Sequence, residues 1–168
     1  GLSSDMLVGS GKDNNIVASY RAASEIMLDP MTTRINILSI PGIRDSYVSD
    51  FAIDLVKDYS KAIYLVDMAS YDDDKARIYD GDDKKVNVGE TISKFESRAL
   101  DSNYSATYFP DVSMTDPNTG NPVALPASVA ALAALGFNDN VSYPWFAPAG
   151  FNRGALSTVV NAKARLTA

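Results

Sequence analysis

The chain has 168 residues, of which 46% are hydrophobic and 21% charged, and its formal net charge is −6. This length suits one domain, and the composition excludes a disordered tail, a collagen-like fibre and a charge-zipper rod. Because there is no Cys and no His, disulfides, thiolate or His-ligated metal sites and a Ser-His-Asp triad are also excluded. The acidic balance offers no footprint for nucleic acid, and no stretch reaches the roughly 18 apolar residues of a membrane span.

Taken in chain order, the sequence alternates between helical and strand patterns. Residues 1–13 are polar and Gly-rich, which predicts a loop. Helices are predicted over residues 14–29 and 45–59 and from Asn87 onward, and strands over residues 35–40, 62–66 and 104–109. The first helix has an apolar stripe of Ile16, Tyr20, Ala23 and Met27, and Ser49 falls on the wet face of the second.

The second half adds a short helix from Pro126 to Gly136 and a half-solvated strand, Val160–Leu166, in which polar and apolar residues alternate. Between the second and third strands, residues 71–85 form a charged excursion that we expect to be exposed and mobile. Alternation of helices and strands is typical of an α/β domain with a layered sheet flanked by helices. We therefore predict a single α/β domain over residues 1–168.

Several short motifs are weak. Residues 9–13, Gly-Ser-Gly-Lys-Asp, lack the spacing of a phosphate loop. The Asp residues at 72–74 and 80–83 could gather around Ca²⁺, but interleaved Lys and Arg favour a solvated loop. Asp67 follows a strand, where ligand sites of α/β sheets occur, although a turn or cap role is commoner there. A Ser-Lys hydrolase is compatible with the composition, but Gly-x-Ser-x-Gly and Ser-x-x-Lys are absent.

The most distinctive stretch is Pro-Trp-Phe-Ala-Pro-Ala-Gly-Phe-Asn-Arg-Gly at residues 144–154. It lies in a region, residues 121–152, whose only charged residue is Asp139, so this region is buried either within the chain or against a partner. Prolines and glycines predict a stiff aromatic turn. We expect Trp145 to be a buried packing anchor and Arg153 to bond carbonyls of its own turn or a nearby carboxylate.

This stretch resembles the signature of contractile tail sheath proteins of bacteriophages. The similarity extends upstream through Phe109-Pro110-Asp111 and the Val-Ala-Leu-Pro-Ala-Ser-Val-Ala-Ala run at residues 123–131. It covers residues 104–166, whereas residues 1–103 match only in the order of elements. The positions that carry the family motif are Pro126, Pro144, Trp145, Pro148, Ala149, Gly150, Asn152, Arg153 and Gly154.

The resemblance implies a structural protein of the virion rather than an enzyme, with no catalytic, cofactor or metal residues. Sheath subunits stack around the tail tube and contract to drive the tube through the host envelope. Their core domain is similar in topology to subtilisin-like folds but lacks the triad. The implied partners are other sheath copies, the tube, baseplate and tail terminator proteins, with assembly in the host cytoplasm. Type VI secretion sheaths and R-type bacteriocins share this architecture.

Family members are longer than this chain, with a terminal arm and a C-terminal domain that link neighbours. The chain begins Gly1-Leu2-Ser3-Ser4 without Met and ends at Ala168, so we expect a piece of a larger protein that is monomeric on its own. Two other classes stay open: a degenerate or Ser-Lys-type α/β hydrolase, and a small-molecule binding domain of receiver or flavodoxin type. A concave pocket at the strand ends with several titratable groups would favour an enzyme.

Overall fold

The computed structural model describes residues 11–166 of the chain. Its α-helices are α1 (Asn15–Met27), α2 (Ser46–Tyr59), α3 (Val88–Glu96), α4 (Ala127–Val141) and α5 (Gly150–Arg153), and a 3-10 turn covers Gly11–Asp13. Its strands are β1 (Ile37–Ser39), β2 (Ile63–Val66), β3 (Ser70–Tyr71), β4 (Arg77–Ile78), β5 (Ser105–Thr107), β6 (Val112–Thr115), β7 (Pro122–Leu125) and β8 (Val159–Ala162). The predicted α/β class is confirmed, while most of the predicted loop over residues 1–13 lies outside the described residues.

A parallel sheet in the order β1-β2-β5 forms the centre of the fold. Helices α2 and α3 connect its successive strands, as parallel pairing requires. The apolar run of β2 is buried from Tyr64 to Val66, and α2 packs its buried stripe against the sheet. The core consists of Leu28, Leu38, Ala52, Ile53, Val56, Tyr59, Ala62, Tyr64 and Val66.

The helix starts were predicted correctly because their capping residues are visible in the sequence. The side chains of Asn14, Asp45 and Asn87 each accept a hydrogen bond from a backbone N–H of the first helical turn. The predicted faces are less accurate. In α1 the buried residue is Ser24, and Leu28, directly after the helix, is also buried, whereas Ala23 and Met27 of the predicted stripe are exposed. Ser49, which was placed on the wet face of α2, is buried, and its hydroxyl accepts a hydrogen bond from Arg98.

A second sheet, which is antiparallel and ordered β7-β6-β8, was largely missed. The sequence predicted no strand between residues 109 and 126, but β6 and β7 form a hairpin there. The predicted strand Val160–Leu166 is shorter and begins earlier, as β8, and a register shift opposite Ser113 and Met114 leaves Val160 exposed. Helix α4 also continues past Gly136 to Val141, because a helix interior tolerates one glycine at a modest cost.

The charged excursion begins as a small hairpin, in which β3 pairs antiparallel with β4. Asp72 closes its turn by accepting from the backbone N–H groups of Asp74 and Ala76. Residues 73–76 and 79–85 are exposed, as predicted, although an ordered hairpin stands where a loop was expected. No helix within residues 11–166 is long and apolar enough to span a membrane.

Candidate functional site

Large aromatic side chains are exposed in the segment that follows α4, which we call the aromatic turn (residues 143–154). The exposed fractions are 60% for Tyr143, 77% for Trp145, 42% for Phe146 and 98% for Phe151. The prediction that Trp145 is a buried anchor is therefore wrong. Scarcity of charge was compatible with burial within the chain or against a partner, and the packing-anchor role assumed the first; in the structure the segment forms an apolar surface that the described residues leave open.

The aromatic turn is held by its own contacts. The rings of Tyr143 and Trp145 are stacked, with centroids 4.8 Å apart and planes 3° apart. Arg153 donates from Nε to the Ala147 carbonyl oxygen at 3.4 Å and lies 5.1 Å from the centre of the Phe146 ring. The predicted bond from Arg153 to a carbonyl of its own turn is confirmed. These contacts give the exposed rings a defined arrangement.

Helix α4 anchors the aromatic turn to the rest of the fold. The buried side chain of Asn138 donates from Nδ2 to the Phe146 carbonyl oxygen at 2.8 Å. Phe137 and Val141 are about half exposed and lie four residues apart, so they share one face of the last turns of α4. The exposed apolar surface therefore continues from the helix into the turn.

The residues of the motif do not form one cluster. Pro126 precedes the first turn of α4, and the other motif residues follow its last turn, so roughly 20 Å of helix separates the two parts. Pro144, Pro148 and Ala149 shape the turn, while Gly150, Asn152 and Arg153 form α5, which Gly154 ends. Gly154 is needed for space, because an added Cβ would lie 2.7 Å from the Pro148 carbonyl oxygen.

A buried polar cluster lies where β1 and β2 end. Asp67, directly after β2, accepts from the Gly42 N–H at 3.1 Å, the Ser128 N–H at 3.0 Å and the Ser128 hydroxyl at 2.7 Å. Asp67 and Ser128 are both buried. The cap role weighed for Asp67 is thus the one that its contacts describe, and its carboxylate ties α4 to the ends of β1 and β2.

A second carboxylate completes the N-terminal cap of α4. Pro126 has no side-chain donor or acceptor, and Asp111 accepts instead from the Ala127 N–H at 3.1 Å. Asp111 also accepts from Arg44 at 2.6 Å, and Arg44 donates to the Met68 carbonyl oxygen at 2.8 Å. Burial raises the pKa of the Asp111 carboxyl, and the charge of Arg44 opposes that rise. Negative groups at a helix N-terminus are stabilising, so this cluster fixes α4 firmly.

The residue types considered for catalysis and for cation binding also make structural contacts. Ser128 donates its hydroxyl proton to Asp67, and its recorded partners include no lysine. Within residues 11–166 no group of three Asp or Glu side chains could hold a metal ion. Asp72 instead accepts from backbone N–H groups and from Lys84 at 3.5 Å. In the phosphate-loop-like stretch, Gly9 and Ser10 lie outside the described residues.

The scarcity of charge in residues 121–152 left an interface role for the aromatic turn open, but it did not decide between burial within the chain and burial against a partner. No signal in the sequence pointed to the joint capping of α4 by Asp67 and Asp111, which depends on contacts between segments that are distant along the chain. No protein-family model matches the chain, and no curated protein matches it significantly.

Proposed function

We propose that the chain is the core domain of a contractile tail sheath subunit of a bacteriophage. In this role it polymerises around the tail tube and contracts to drive the tube through the host envelope, and it works by contacts between copies rather than by catalysis. The single observation that carries the proposal is the exposure of the aromatic turn. Residues that resemble the family signature are presented to solvent, where a neighbouring subunit could bury them.

The chemistry of this surface suits an interface between proteins. Trp, Tyr, Phe and Arg are the residues enriched at the buried centres of interfaces, and the aromatic turn combines all four. Its internal stacking and hydrogen bond arrange the rings before a partner arrives, which lowers the entropic cost of association. Two assembly states with different buried areas would supply the free energy of contraction.

The parallel sheet supports the finer proposal about topology. Strands β1, β2 and β5 are consecutive neighbours joined by helices, an arrangement compatible with a subtilisin-like core that lacks a triad. The partners proposed with this role are other sheath copies, the tube protein, and the baseplate and tail terminator proteins. The proposed location is the contractile tail of the virion, after assembly in the host cytoplasm.

Immunogold electron microscopy tests the proposal directly. Antibodies raised against the purified chain should decorate contractile tails along their length, and the labelled region should shorten when the tails contract. Decoration of capsids, of tail fibres or of cell envelopes without tails would contradict a sheath role.

A variant pair tests whether the aromatic turn makes the contacts. In the whole sheath protein, Trp145→Ala combined with Phe151→Ala should abolish tubes in electron micrographs while leaving the circular dichroism of the fold unchanged. Ile26→Ala, which alters an equally apolar and 68% exposed residue on α1, is the control and should still form tubes. Normal tubes from the double variant would show that other surfaces assemble the sheath. The chain alone is expected to remain monomeric in light scattering at all concentrations.

A further inference from the structure

A pocket of about 270 Å³ opens between the start of α2, the β3–β4 hairpin and the end of α3. Its charged lining residues are Arg44, Arg77, Lys94, Arg98 and Asp45. Four basic groups therefore face one acidic group, in a chain whose net charge is −6. Such a local excess of positive charge needs an explanation, because like charges repel and are normally spread over a surface.

Two of the four cations are neutralised by acidic partners that are not among the lining residues. Arg44 forms ion pairs with Asp111 at 2.6 Å and Asp80 at 3.3 Å. Arg98 pairs with Asp50 and also donates to the Ser49 hydroxyl at 2.7 Å. These contacts hold both guanidinium groups in fixed positions and leave the Nε of Arg98 buried without a hydrogen-bond partner among the described residues.

The charges of the other two cations, Lys94 and Arg77, are only weakly neutralised by acidic side chains. Lys94 lies 3.9 Å from Glu90, at the limit of an ion pair, and is half exposed. Arg77 has no ion pair within residues 11–166, and its buried Nε likewise has no hydrogen-bond partner there. The recorded contact of its guanidinium is the ring of Tyr79, 5.1 Å away. A buried donor without an acceptor costs free energy, which a bound acceptor would recover.

We propose that this pocket binds a small oxyanion of the phosphate class. Arg77 is the group that the anion neutralises, with Lys94 and Arg98 beside it. Planar guanidinium groups match the oxygen spacing of phosphate, and a half-exposed lysine adds a mobile point charge. The start of α2 lines the pocket through Asp45 and Ser46, but the Asp45 carboxylate already caps that helix end, so the proposal rests on the basic side chains.

The pocket has an aromatic wall that extends the proposal. Tyr71 and Phe95 line it, and their rings lie 5.8 Å from the Lys94 Nζ and 5.3 Å from the Arg98 guanidinium carbon, respectively. The oxyanion can therefore be free inorganic phosphate or the phosphate group of a small organic molecule. This inference does not rest on the sheath proposal, because the pocket lies apart from the aromatic turn.

Calorimetric titration of the chain at constant ionic strength tests the inference with inorganic phosphate and phenyl phosphate as probes. Both should give saturable heat, whereas acetate should give none. A tighter phenyl phosphate complex would show that the wall of Tyr71 and Phe95 contacts the organic part, and equal affinities would show that the site takes the ion alone. Amide shifts in NMR spectra should map to Arg77, Lys94 and Arg98.

Charge-matched variants make the test specific. Arg77→Gln should weaken phosphate binding by at least about tenfold, since it removes charge-assisted hydrogen bonds. Lys94→Gln, at a half-exposed helix position that folding tolerates, should weaken it several-fold. Arg34→Gln changes an exposed arginine that forms no ion pair within residues 11–166; it removes the same charge and should leave phosphate binding unchanged. Absence of saturable binding, equal binding of acetate, or equal losses for Arg77→Gln and Arg34→Gln would overturn the proposal.

Discussion

The ring of Trp145 lies flat on the ring of Tyr143, with 4.8 Å between centroids and 3° between planes, and both rings face solvent. Each ring limits the rotamers of the other, so the pair forms a preordered apolar surface. An arrangement of this kind contributes little to the stability of the isolated chain, because most of the Trp145 surface stays in water. The pair would contribute to binding free energy when a partner buries its apolar surface.

Trp145→Ala should therefore lower the free energy of unfolding of the chain by less than about 1 kcal/mol. The matched comparison is Leu38→Ala, which removes a buried core side chain and should cost about 2–5 kcal/mol. Urea unfolding followed by far-UV circular dichroism measures both. A loss near 3 kcal/mol for Trp145→Ala would return the ring to the role of a packing anchor.

The same substitution, Tyr→Phe, should change the stability of the chain in opposite directions at two buried tyrosines, Tyr64 and Tyr59. The Tyr64 hydroxyl has no hydrogen-bond partner among the described residues, and burial, assisted by the charge of Asp67, raises its pKa. Tyr64→Phe should stabilise the chain by about 1 kcal/mol, because it removes an unsatisfied polar group. Tyr59 accepts from the Ile35 N–H at 3.0 Å and donates to the Thr33 carbonyl oxygen at 3.1 Å.

Tyr59→Phe should accordingly destabilise the chain by about 1 kcal/mol. Thermal unfolding of the two variants, beside the parent chain, should show melting temperatures displaced in opposite directions. A similar destabilisation by Tyr64→Phe would contradict this expectation, because it would mean that the Tyr64 hydroxyl makes a hydrogen bond in the folded chain.

Two glycine-to-alanine changes, Gly136→Ala in α4 and Gly154→Ala at the end of the aromatic turn, distinguish a glycine required for space from one that only weakens a helix. Gly154→Ala places a Cβ 2.7 Å from the Pro148 carbonyl oxygen, so the aromatic turn must open. In Gly136→Ala the added Cβ meets no atom within 4 Å outside its own helix among the described residues, and the change should stabilise α4 by about 1 kcal/mol. Since Trp145 is the single tryptophan, near-UV circular dichroism reports on the turn. The Trp signal should fall in Gly154→Ala and persist in Gly136→Ala.

The elements that were predicted correctly are marked by local features of the sequence, such as capping residues and continuous apolar runs. Helices α1, α2 and α3 were predicted because Asn14, Asp45 and Asn87 cap them, and β2 because its apolar run is continuous. The β6–β7 hairpin was missed although the turn residues between the strands are typical of a hairpin loop. Pro122 within β7 and the short length of both strands obscured the pattern.

The candidate site depended on contacts that no local pattern contains. Asp67 was weighed as a ligand-site residue or as a turn or cap residue after a strand, but its partners could not be predicted, because Gly42 and Ser128 approach it from other segments. Trp145 was assigned to the core because it lies between two prolines in a segment almost free of charge, and composition does not tell whether the burying surface belongs to the same chain. The motif was visible in the sequence, but the exposure of its aromatic side chains was not.

The turn between β6 and β7 predicts a pH dependence that can be assigned to one carboxyl group. Asp116 accepts from the Asn118 N–H at 2.9 Å and from the Thr119 hydroxyl at 2.8 Å, and these bonds lower its pKa below the ordinary value of 3.8. A carboxyl with a lowered pKa stabilises the folded state above its ordinary pKa, and that contribution is lost as pH falls through the folded value.

Carbon-detected NMR titration should therefore place the Asp116 midpoint below 3.8 in the parent chain. Thr119→Val removes the hydroxyl donor and should raise the midpoint partway toward the ordinary value. Asp72, whose pKa is lowered by the Ala76 N–H and by Lys84, is an internal control that should not move. An Asp116 midpoint unaffected by Thr119→Val would mean that the backbone N–H groups of Asn118 and Thr119, rather than the hydroxyl, lower the pKa.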